Sequence, residues 1–211
     1  MLVLRNTEPK TSPTQNLNTN LLPVRNESIS VPSVNTNQAV PTVVIPIDGF
    51  WSRVTKKPFG IKIDPATSPV QPERFSGYHT AVDAETSASE ANMDIPIRAV
   101  AAGTVLLARI VDGYGGFMAI QHSIDGQQMI GVYGHLRASS FTVKSDDKVS
   151  VGQVIGVLGT GYSSETSGER KHLHFGLIRG TTLTYRGYVA TQSELSGWLD
   201  PVVVLRAAGA L

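Results

Sequence analysis

Five histidines carry the spacing in this sequence that points most directly to chemistry. His172 and His174 are separated by one leucine, at the start of an apolar run that predicts a strand. Since side chains two apart on a strand point to the same face, both imidazoles should face away from Leu173. His79 and Asp83 are four residues apart and would likewise share one face of an extended segment.

Two imidazoles and one carboxylate are the ligands of an ordinary catalytic zinc site, in which water takes the fourth position. Bound zinc lowers the pKa of that water to about 7 and so makes a nucleophile at neutral pH. Further imidazoles could accept the proton of the water or hydrogen-bond an oxyanion. The spacings alone do not distinguish such a site from structural or surface histidines, which arise at these spacings by chance.

The composition limits the other classes of function. The chain has 211 residues, with 18 Lys and Arg against 17 Asp and Glu, which gives a net charge of +1. This balance argues against a strongly basic nucleic-acid surface, and we expect no nucleic-acid partner. The absence of cysteine excludes disulfides, thiolate ligands and a cysteine nucleophile. No stretch approaches the roughly 18 apolar residues of a membrane span, and the apolar start is too short for a signal-peptide core.

Two parts of the chain differ in texture. Half of residues 1–40 are Asn, Ser, Thr or Pro and none is Gly or aromatic, which predicts a disordered N-terminal arm or linker. Residues 41–206 predict one domain, with a C-terminal tail at 207–211. All twenty glycines follow Asp48 and separate apolar runs of strand length. These runs are Thr104–Ala108, Phe117–Gln121, Met129–Tyr133, Val154–Leu158 and Leu173–Ile178.

Turn and cap signals complete this prediction. Asp112-Gly113 and Asp125-Gly126 are typical of hairpin turns. Only Thr191–Gly197 indicates a helix, with Thr191 as its cap and Glu194 three residues later. The sequence therefore predicts a mostly β domain with many tight turns.

A series of motifs, in order, resembles the lysostaphin/LytM-type zinc endopeptidases, which cut cell-wall peptide bridges. The resemblance covers roughly residues 77–201 of the chain. The matching motifs are His79-Thr-Ala-Val-Asp83, Gly103-Thr-Val105, Gly113-Tyr-Gly115, Ile120-Gln-His122, Tyr133-Gly-His135-Leu136, Val151-Gly-Gln-Val-Ile-Gly156, His172-Leu-His-Phe175 and Asp200-Pro201.

The resemblance implies a fold and a set of roles. The fold is an antiparallel sheet or flattened sandwich of the duplicated hybrid motif type, with long loops around a groove. His79, Asp83 and His174 would be the zinc ligands. His172 would be the base that activates the water, and His135 would orient the water and stabilise the oxyanion.

Three further features lie close to these motifs in the sequence. His122 matches a family histidine that we expect to be a hydrogen-bonded strand residue, and Tyr133 is expected to pack beside the site. The stretch Tyr162–Lys171 is longer than the usual approach to the His-x-His pair. Because a guanidinium can hold a carboxylate with two hydrogen bonds, we expect Arg170 and Lys171 to select stem peptides with free carboxylates.

The resemblance thus implies a zinc-dependent endopeptidase that hydrolyses peptidoglycan stem peptides or cross-bridges through a metal-bound water. We expect a monomer that is extracellular, periplasmic or associated with the cell envelope, with its export signal outside these 211 residues. The alternative is a catalytically inactive activator or binding module of the same fold, against which the presence of every ligand position argues. A lipoyl- or biotinyl-type carrier is disfavoured because no Met-Lys-Met or Asp-Lys-Ala motif occurs.

Overall fold

A computed structural model describes residues 41–211, and the predicted arm at residues 1–40 lies outside the described residues. The described part is mostly β with antiparallel strand pairing, which confirms the predicted fold class. None of its helices is long and apolar enough to cross a membrane. Its strands are β1 (Lys62–Ile63), β2 (Gly77–His79), β3 (Ala81–Glu85), β4 (Pro96–Arg98), β5 (Gly103–Val111), β6 (Gly115–Ile124), β7 (Gln127–Leu136), β8 (Lys148–Val149), β9 (Val154–Val157), β10 (His172–Arg179), β11 (Tyr188–Val189) and β12 (Trp198–Leu199). Its helices are α1 (Phe50–Arg53), α2 (Pro201–Ala207) and 3₁₀ turns at Ala88–Glu90, Ala138–Ser140, Ser164–Thr166 and Gln192–Gly197.

One open, seven-stranded sheet forms the centre of the fold. Six of its strands lie in the order β12-β10-β7-β6-β5-β8, and β3 also pairs with β10. A three-stranded sheet in the order β1-β2-β11 and the pair β4-β9 complete the strand pairing of the described residues. Strand β10 therefore lies between β7 on one side and β3 on the other.

Two tight turns connect the three longest strands, as predicted. Asp125 and Gly126 both have positive φ, 49° and 75°, as the two-residue turn that matches the twist of a hairpin requires. Gly113, with φ 81°, lies between β5 and β6. These turns place β5, β6 and β7 side by side in the sheet.

The larger of two hydrophobic clusters packs on one face of this sheet. Leu173 and Phe175 of β10 are fully buried in it, and the ring of Tyr133 lies 5.1 Å from that of Phe175. Because successive side chains on a strand point to opposite faces, burying Leu173 and Phe175 directs His172 and His174 to the other face. The core thereby sets the orientation of the two histidines.

The C-terminal end differs from the prediction of a single helix. The predicted capping box of Thr191 and Glu194 begins a 3₁₀ helix, but α2 follows it. Asp200 caps α2 by accepting a hydrogen bond from the Val202 N–H at 2.9 Å, and Pro201 occupies its first position. The three consecutive valines of α2 do not predict a helix, because β-branched residues favour strands.

The predicted domain limits, 41–206 with a tail at 207–211, stay a prediction. Helix α2 runs through Ala207, and Ala210 is buried. The Ile45 N–H donates a hydrogen bond to the Leu211 carbonyl at 3.2 Å. Ala210 and the main chain of Leu211 therefore contact the rest of the domain.

Candidate metal centre and active site

The candidate ligands His79, Asp83 and His174 come from three strands. His79 is the last residue of β2, and only Thr80 separates β2 from β3, which contains Asp83. Asp83 and His174 lie directly opposite each other in the β3–β10 ladder, where side chains on one face come into contact. All three side chains are buried. The structure thus brings these three residues together.

Their potential ligand atoms form a nearly equilateral triangle. His79 Nε2 and Asp83 Oδ1 are 3.3 Å apart, His174 Nδ1 and Asp83 Oδ1 are 3.2 Å apart, and the two ring nitrogens are 3.3 Å apart. Ligand atoms around a tetrahedral zinc, each about 2.0–2.2 Å from the metal, would be about 3.4 Å from one another. Asp83 Oδ1 is buried and has no hydrogen-bond partner within residues 41–211. The donor set and its spacing fit a zinc ion.

The protonation states of the triangle also suit a cation. Burial would raise the pKa of Asp83, but the neighbouring His172 and His79 outweigh it and hold that pKa well below its usual range. Burial lowers the pKa of His174 to about 4, so its imidazole is neutral at neutral pH. His79 Nδ1 lies 3.4 Å from the Pro58 carbonyl, which favours a proton on Nδ1 and leaves Nε2 free. Metal ligands must be deprotonated, and the Asp83 carboxylate and the His174 imidazole meet that condition.

The candidate catalytic residues His135 and His172 lie beside the triangle, with ring centroids 4.4 Å apart. His172 Nδ1–H donates to the Arg170 carbonyl at 2.9 Å, so Nε2 is the nitrogen that can accept a proton. This Nε2 lies 3.3 Å from Asp83 Oδ2. Burial, with His172 and His174 nearby, keeps the pKa of His135 well below its usual value. All five predicted site residues therefore meet in one place.

A β-bulge in β7 turns His135 toward this site. Across from β6, Met118 pairs with Tyr133 and Gly116 pairs with Leu136, so β7 holds one extra residue between these pairs. Without it, His135 would share the core-facing side of the strand with Tyr133. The bulge therefore separates Tyr133, which lies in the core, from His135, which faces the ligands.

The backbone of His135 is held in an unusual conformation from both sides. Its φ of 63° lies in the left-handed region, which is uncommon for a residue other than glycine. Its N–H donates to the Tyr114 carbonyl at 3.0 Å, and its carbonyl accepts from the Gly159 N–H at 2.9 Å. Such conformations persist where the surroundings fix them, and they concentrate at functional sites.

A cavity of about 240 Å³ opens onto four of the five residues, Asp83, His135, His172 and His174. Phenylalanine and tyrosine rings form part of its wall, together with charged and small residues. Among these rings, only Tyr114 belongs to a recognisable motif of the sequence, Gly113-Tyr-Gly115. The others have no sequence signal that links them to the site. The aromatic residues are Phe75, Tyr114, Tyr185 and Tyr188.

Tyr188 contacts a candidate ligand directly. It lies opposite His79 in the β2–β11 ladder, and the two rings stack with centroids 5.1 Å apart. The Lys57 ammonium donates to the Tyr188 hydroxyl at 3.1 Å and forms a buried ion pair with Glu73. No motif or spacing linked these residues to His79, because the contact depends on the pairing of distant strands.

Comparison with known families identifies the domain. The sequence profile of peptidase family M23 matches residues 77–207. The chain belongs to peptidase family M23. The match spans the whole candidate site, and M23 is a family of metallopeptidases. The resemblance noted in the sequence is thereby confirmed.

Two curated proteins are similar to part of this chain. An uncharacterized protein of Haemophilus influenzae is 38% identical over 100 residues, which cover 47% of this chain and 22% of the relative. Endolysin 2638A of Staphylococcus phage 2638A is 32% identical over 142 residues, which cover 59% of this chain and 27% of the endolysin. The chain therefore spans less than a third of either relative.

Solved structures share the M23 fold. The antimicrobial peptidase lysostaphin from Staphylococcus simulans is 26% identical, with a TM-score of 0.51 over 81% of this chain and 55% of lysostaphin. LytU is 22% identical, with a TM-score of 0.50 over 74% of this chain and 85% of LytU, which shows likeness of fold. The predicted lysostaphin-type fold is confirmed.

Arg170 and Lys171, which were expected to select substrate carboxylates, have partners within their own chain in this M23 domain. Arg170 is buried and its guanidinium is engaged by two carboxylates of its own chain, Asp83 and Glu85. The Lys171 ammonium is also buried and donates to the main-chain carbonyl of Met93 at 2.6 Å. Both cations find partners within the chain because the loop folds back onto β3 and its neighbours.

His122 lies apart from the M23 site and is hydrogen-bonded within the sheet. Its Nδ1 lies 3.2 Å from the Ala102 carbonyl, and its Nε2 lies 3.1 Å from the Tyr133 hydroxyl. The Tyr133 hydroxyl in turn accepts a hydrogen bond from the Val100 N–H at 3.0 Å. Tyr133 therefore packs in the core and hydrogen-bonds His122. These bonds are those expected of a structural histidine on a strand.

His122 predicts a pH dependence of stability. Burial lowers the pKa of His122 to about 4, whereas an unfolded histidine titrates near about 6.5. The unfolded chain thus binds the extra proton between these values, so the contribution is present above about pH 6.5 and is lost as pH falls toward about 4. Between about pH 7 and pH 5, we expect wild type to lose about 2 kcal/mol more unfolding free energy than His122→Gln. Urea unfolding of both proteins at each pH measures this, and parallel curves would contradict it.

Proposed function

We propose that this M23 domain is a zinc endopeptidase that hydrolyses peptide bonds of peptidoglycan. The observation that carries the proposal is the triangle of His79, Asp83 and His174, whose buried Asp83 Oδ1 has no hydrogen-bond partner in the described part of the chain. The motif resemblance and the likeness to an antimicrobial peptidase and a phage endolysin support a cell-wall substrate.

Three side chains of this domain would hold the zinc ion, which would act as a Lewis acid. We assign His79 Nε2, Asp83 Oδ1 and His174 Nδ1 as the zinc ligands, since they are the three atoms that converge. Zinc with three protein ligands lowers the pKa of a coordinated water to about 7 and polarises a carbonyl oxygen. The neighbouring cavity would hold the scissile peptide beside these ligands.

His172 is assigned as the general base. Its Nδ1–H is committed to the Arg170 carbonyl, so the proton from the attacking water goes to Nε2. The imidazolium formed can donate a hydrogen bond to Asp83 Oδ2, which lies 3.3 Å from Nε2. His172 then returns the proton to the leaving amine as the peptide bond breaks.

His135 is assigned as the group that stabilises the oxyanion. Its depressed pKa keeps the ring neutral, and a neutral imidazole carries one N–H that can donate to the developing oxygen charge. The bulge and the left-handed backbone of β7 hold that ring in place before substrate arrives. A fixed donor needs no reorganisation during the reaction, which makes it effective.

The substrate also determines where the enzyme would act. Peptidoglycan lies outside the cytoplasmic membrane, so we propose an extracellular, periplasmic or envelope-associated location. We propose that the catalytic unit works as a monomer, since every assigned ligand and both catalytic histidines belong to one chain.

Digestion of purified peptidoglycan by the zinc-loaded protein tests the proposal. Each hydrolysed peptide bond creates one new amino group and one new carboxyl group, and mass spectrometry of the released fragments locates both. We expect new termini within stem peptides or cross-bridges, and none with His172→Ala at the same zinc content. If zinc-loaded wild type binds peptidoglycan and releases no new termini, the inactive binding module replaces the enzyme.

A further inference from the structure

We propose that Arg170 is a positioning residue, which fixes Asp83 in the orientation that presents Oδ1 to the metal. The inference rests on the proposed function, because it concerns the assigned zinc ligand. The Arg170 Nη2 donates to Asp83 Oδ2 at 2.9 Å, whereas Asp83 Oδ1 faces His79 and His174. The two oxygens of one carboxylate thus have separate partners.

A carboxylate ligand needs such a partner because its last torsion is soft. The χ2 torsion of aspartate is broad and roughly two-fold, so packing alone does not decide which oxygen points at a metal. A hydrogen bond from a buried cation to Oδ2 makes that choice, since Oδ2 then cannot turn toward His79 and His174 without losing its partner. Replacing a group that holds a metal ligand in this way typically weakens metal affinity by about 10–100-fold.

The strand register explains how Arg170 reaches Asp83. In the β3–β10 ladder, His174 lies opposite Asp83 and His172 lies opposite Glu85. Asp83 and Glu85 are two apart, so their side chains share one face of β3. Arg170 lies two residues before His172, just outside β10, and its guanidinium reaches both Asp83 and Glu85. One planar guanidinium can therefore span both carboxylates.

Glu85 anchors the guanidinium. Arg170 Nε donates to Glu85 Oε2 at 2.9 Å, and Arg170 Nη2 also bonds Glu85 Oε1. This two-point contact fixes the plane of the guanidinium, which a lysine ammonium could not do. Arg170 is 8% exposed, so water offers little competition for these bonds. With its plane fixed by Glu85, the guanidinium directs the hydrogen bond from its Nη2 to Asp83 Oδ2.

Arg170 also holds the assigned base through its main chain. Its carbonyl accepts the Nδ1–H of His172 at 2.9 Å. The side chain and the carbonyl of one residue thereby orient the ligand Asp83 and set the tautomer of His172. A side-chain substitution removes the first contact and leaves the second acceptor in place, so the two effects can be separated.

Zinc affinity measured by competition with a chelator of known affinity tests the inference without relying on activity. Wild type, Arg170→Ala and Arg170→Lys are compared, with Lys171→Met as the matched control. Lys171 is an equally buried cation next to His172, but its ammonium binds main-chain carbonyls of Ala91 and Met93. We expect Arg170→Ala to bind zinc about 10–100-fold more weakly, Arg170→Lys to fall between it and wild type, and Lys171→Met to match wild type.

Kinetics at saturating zinc separates positioning from substrate binding. Because the guanidinium is bound to its own chain, we expect Arg170→Lys to lower kcat and leave KM for a stem peptide near the wild-type value. A raised KM with unchanged zinc affinity would overturn the inference and return Arg170 to substrate binding. Equal zinc affinity in wild type and both Arg170 variants would overturn it as well.

If wild type itself binds no zinc, the proposed function fails first. Should Arg170→Ala not fold, the Arg170→Lys and Glu85→Gln proteins carry the same test, with weaker zinc binding expected in each.

Discussion

Tight zinc binding should be lost when any one of the three assigned ligands is replaced, as in His174→Ala, His79→Ala or Asp83→Ala. Each substitution removes one corner of a triangle whose sides are 3.2–3.3 Å. Two protein ligands and water hold zinc far less tightly than three, because structural zinc affinity depends on a complete, deprotonated set of ligands. Elemental analysis after desalting should find about one zinc per wild-type chain and almost none in the three variants.

A second readout follows from linkage between binding and folding. A ligand present at about 1,000 times its dissociation constant stabilises the folded state by about 4 kcal/mol. Wild type should therefore melt at a lower temperature after chelation, whereas the three ligand variants should melt alike with and without chelator. His122→Gln is the matched control, since it replaces a buried histidine outside the cavity and should retain full zinc. Full zinc occupancy in His174→Ala would remove that residue from the ligand set.

The parts of this site that sequence analysis predicted depend on local periodicity. The alternation of His172, Leu173, His174 and Phe175 needs only that the segment is a strand with one buried face. The hairpin turns follow from Asp-Gly pairs for the same reason, since the backbone angles they require are set within two residues. The order of the motifs resembles that of the lysostaphin/LytM-type endopeptidases. This resemblance assigns His79, Asp83 and His135 to the same site as the two histidines of β10.

The parts that the sequence did not predict depend on contacts between distant segments. The bulge that redirects His135 is visible only once β6 and β7 are paired. The position of Arg170 beside His172 suggests a contact with substrate, because the sequence does not reveal that Arg170 binds Asp83, 87 residues earlier in the chain. The same holds for Tyr188, which stacks on His79 across the β2–β11 ladder. The alternation of side chains within one segment predicts the face on which a residue lies. The register between paired segments determines which residues it contacts.

His172→Ala and His135→Ala should lose most turnover and retain zinc. Neither residue belongs to the triangle of ligand atoms, so the metal should remain at about one per chain. A positioned acid or base contributes about 10²–10⁴-fold to a rate, and an oxyanion donor contributes about 10²–10³-fold. We therefore expect kcat on a peptidoglycan-derived peptide to fall by about 10²–10⁴-fold in each variant, with the larger loss for His172→Ala.

The two histidines should also act as one unit. The rings lie 4.4 Å apart on one cavity wall, and residues that serve the same step are strongly non-additive. The double variant should therefore be only slightly slower than the slower single variant, which steady-state assays with zinc content measured on the same samples can show. Loss of zinc from His172→Ala together with its retention in His174→Ala would reverse the assignment within the pair. Near-normal rates in both single variants would instead require another base, and the remaining titratable side chains on the cavity would then be the groups to examine: Lys57, Asp112, Tyr114, Glu169, Tyr185 and Tyr188.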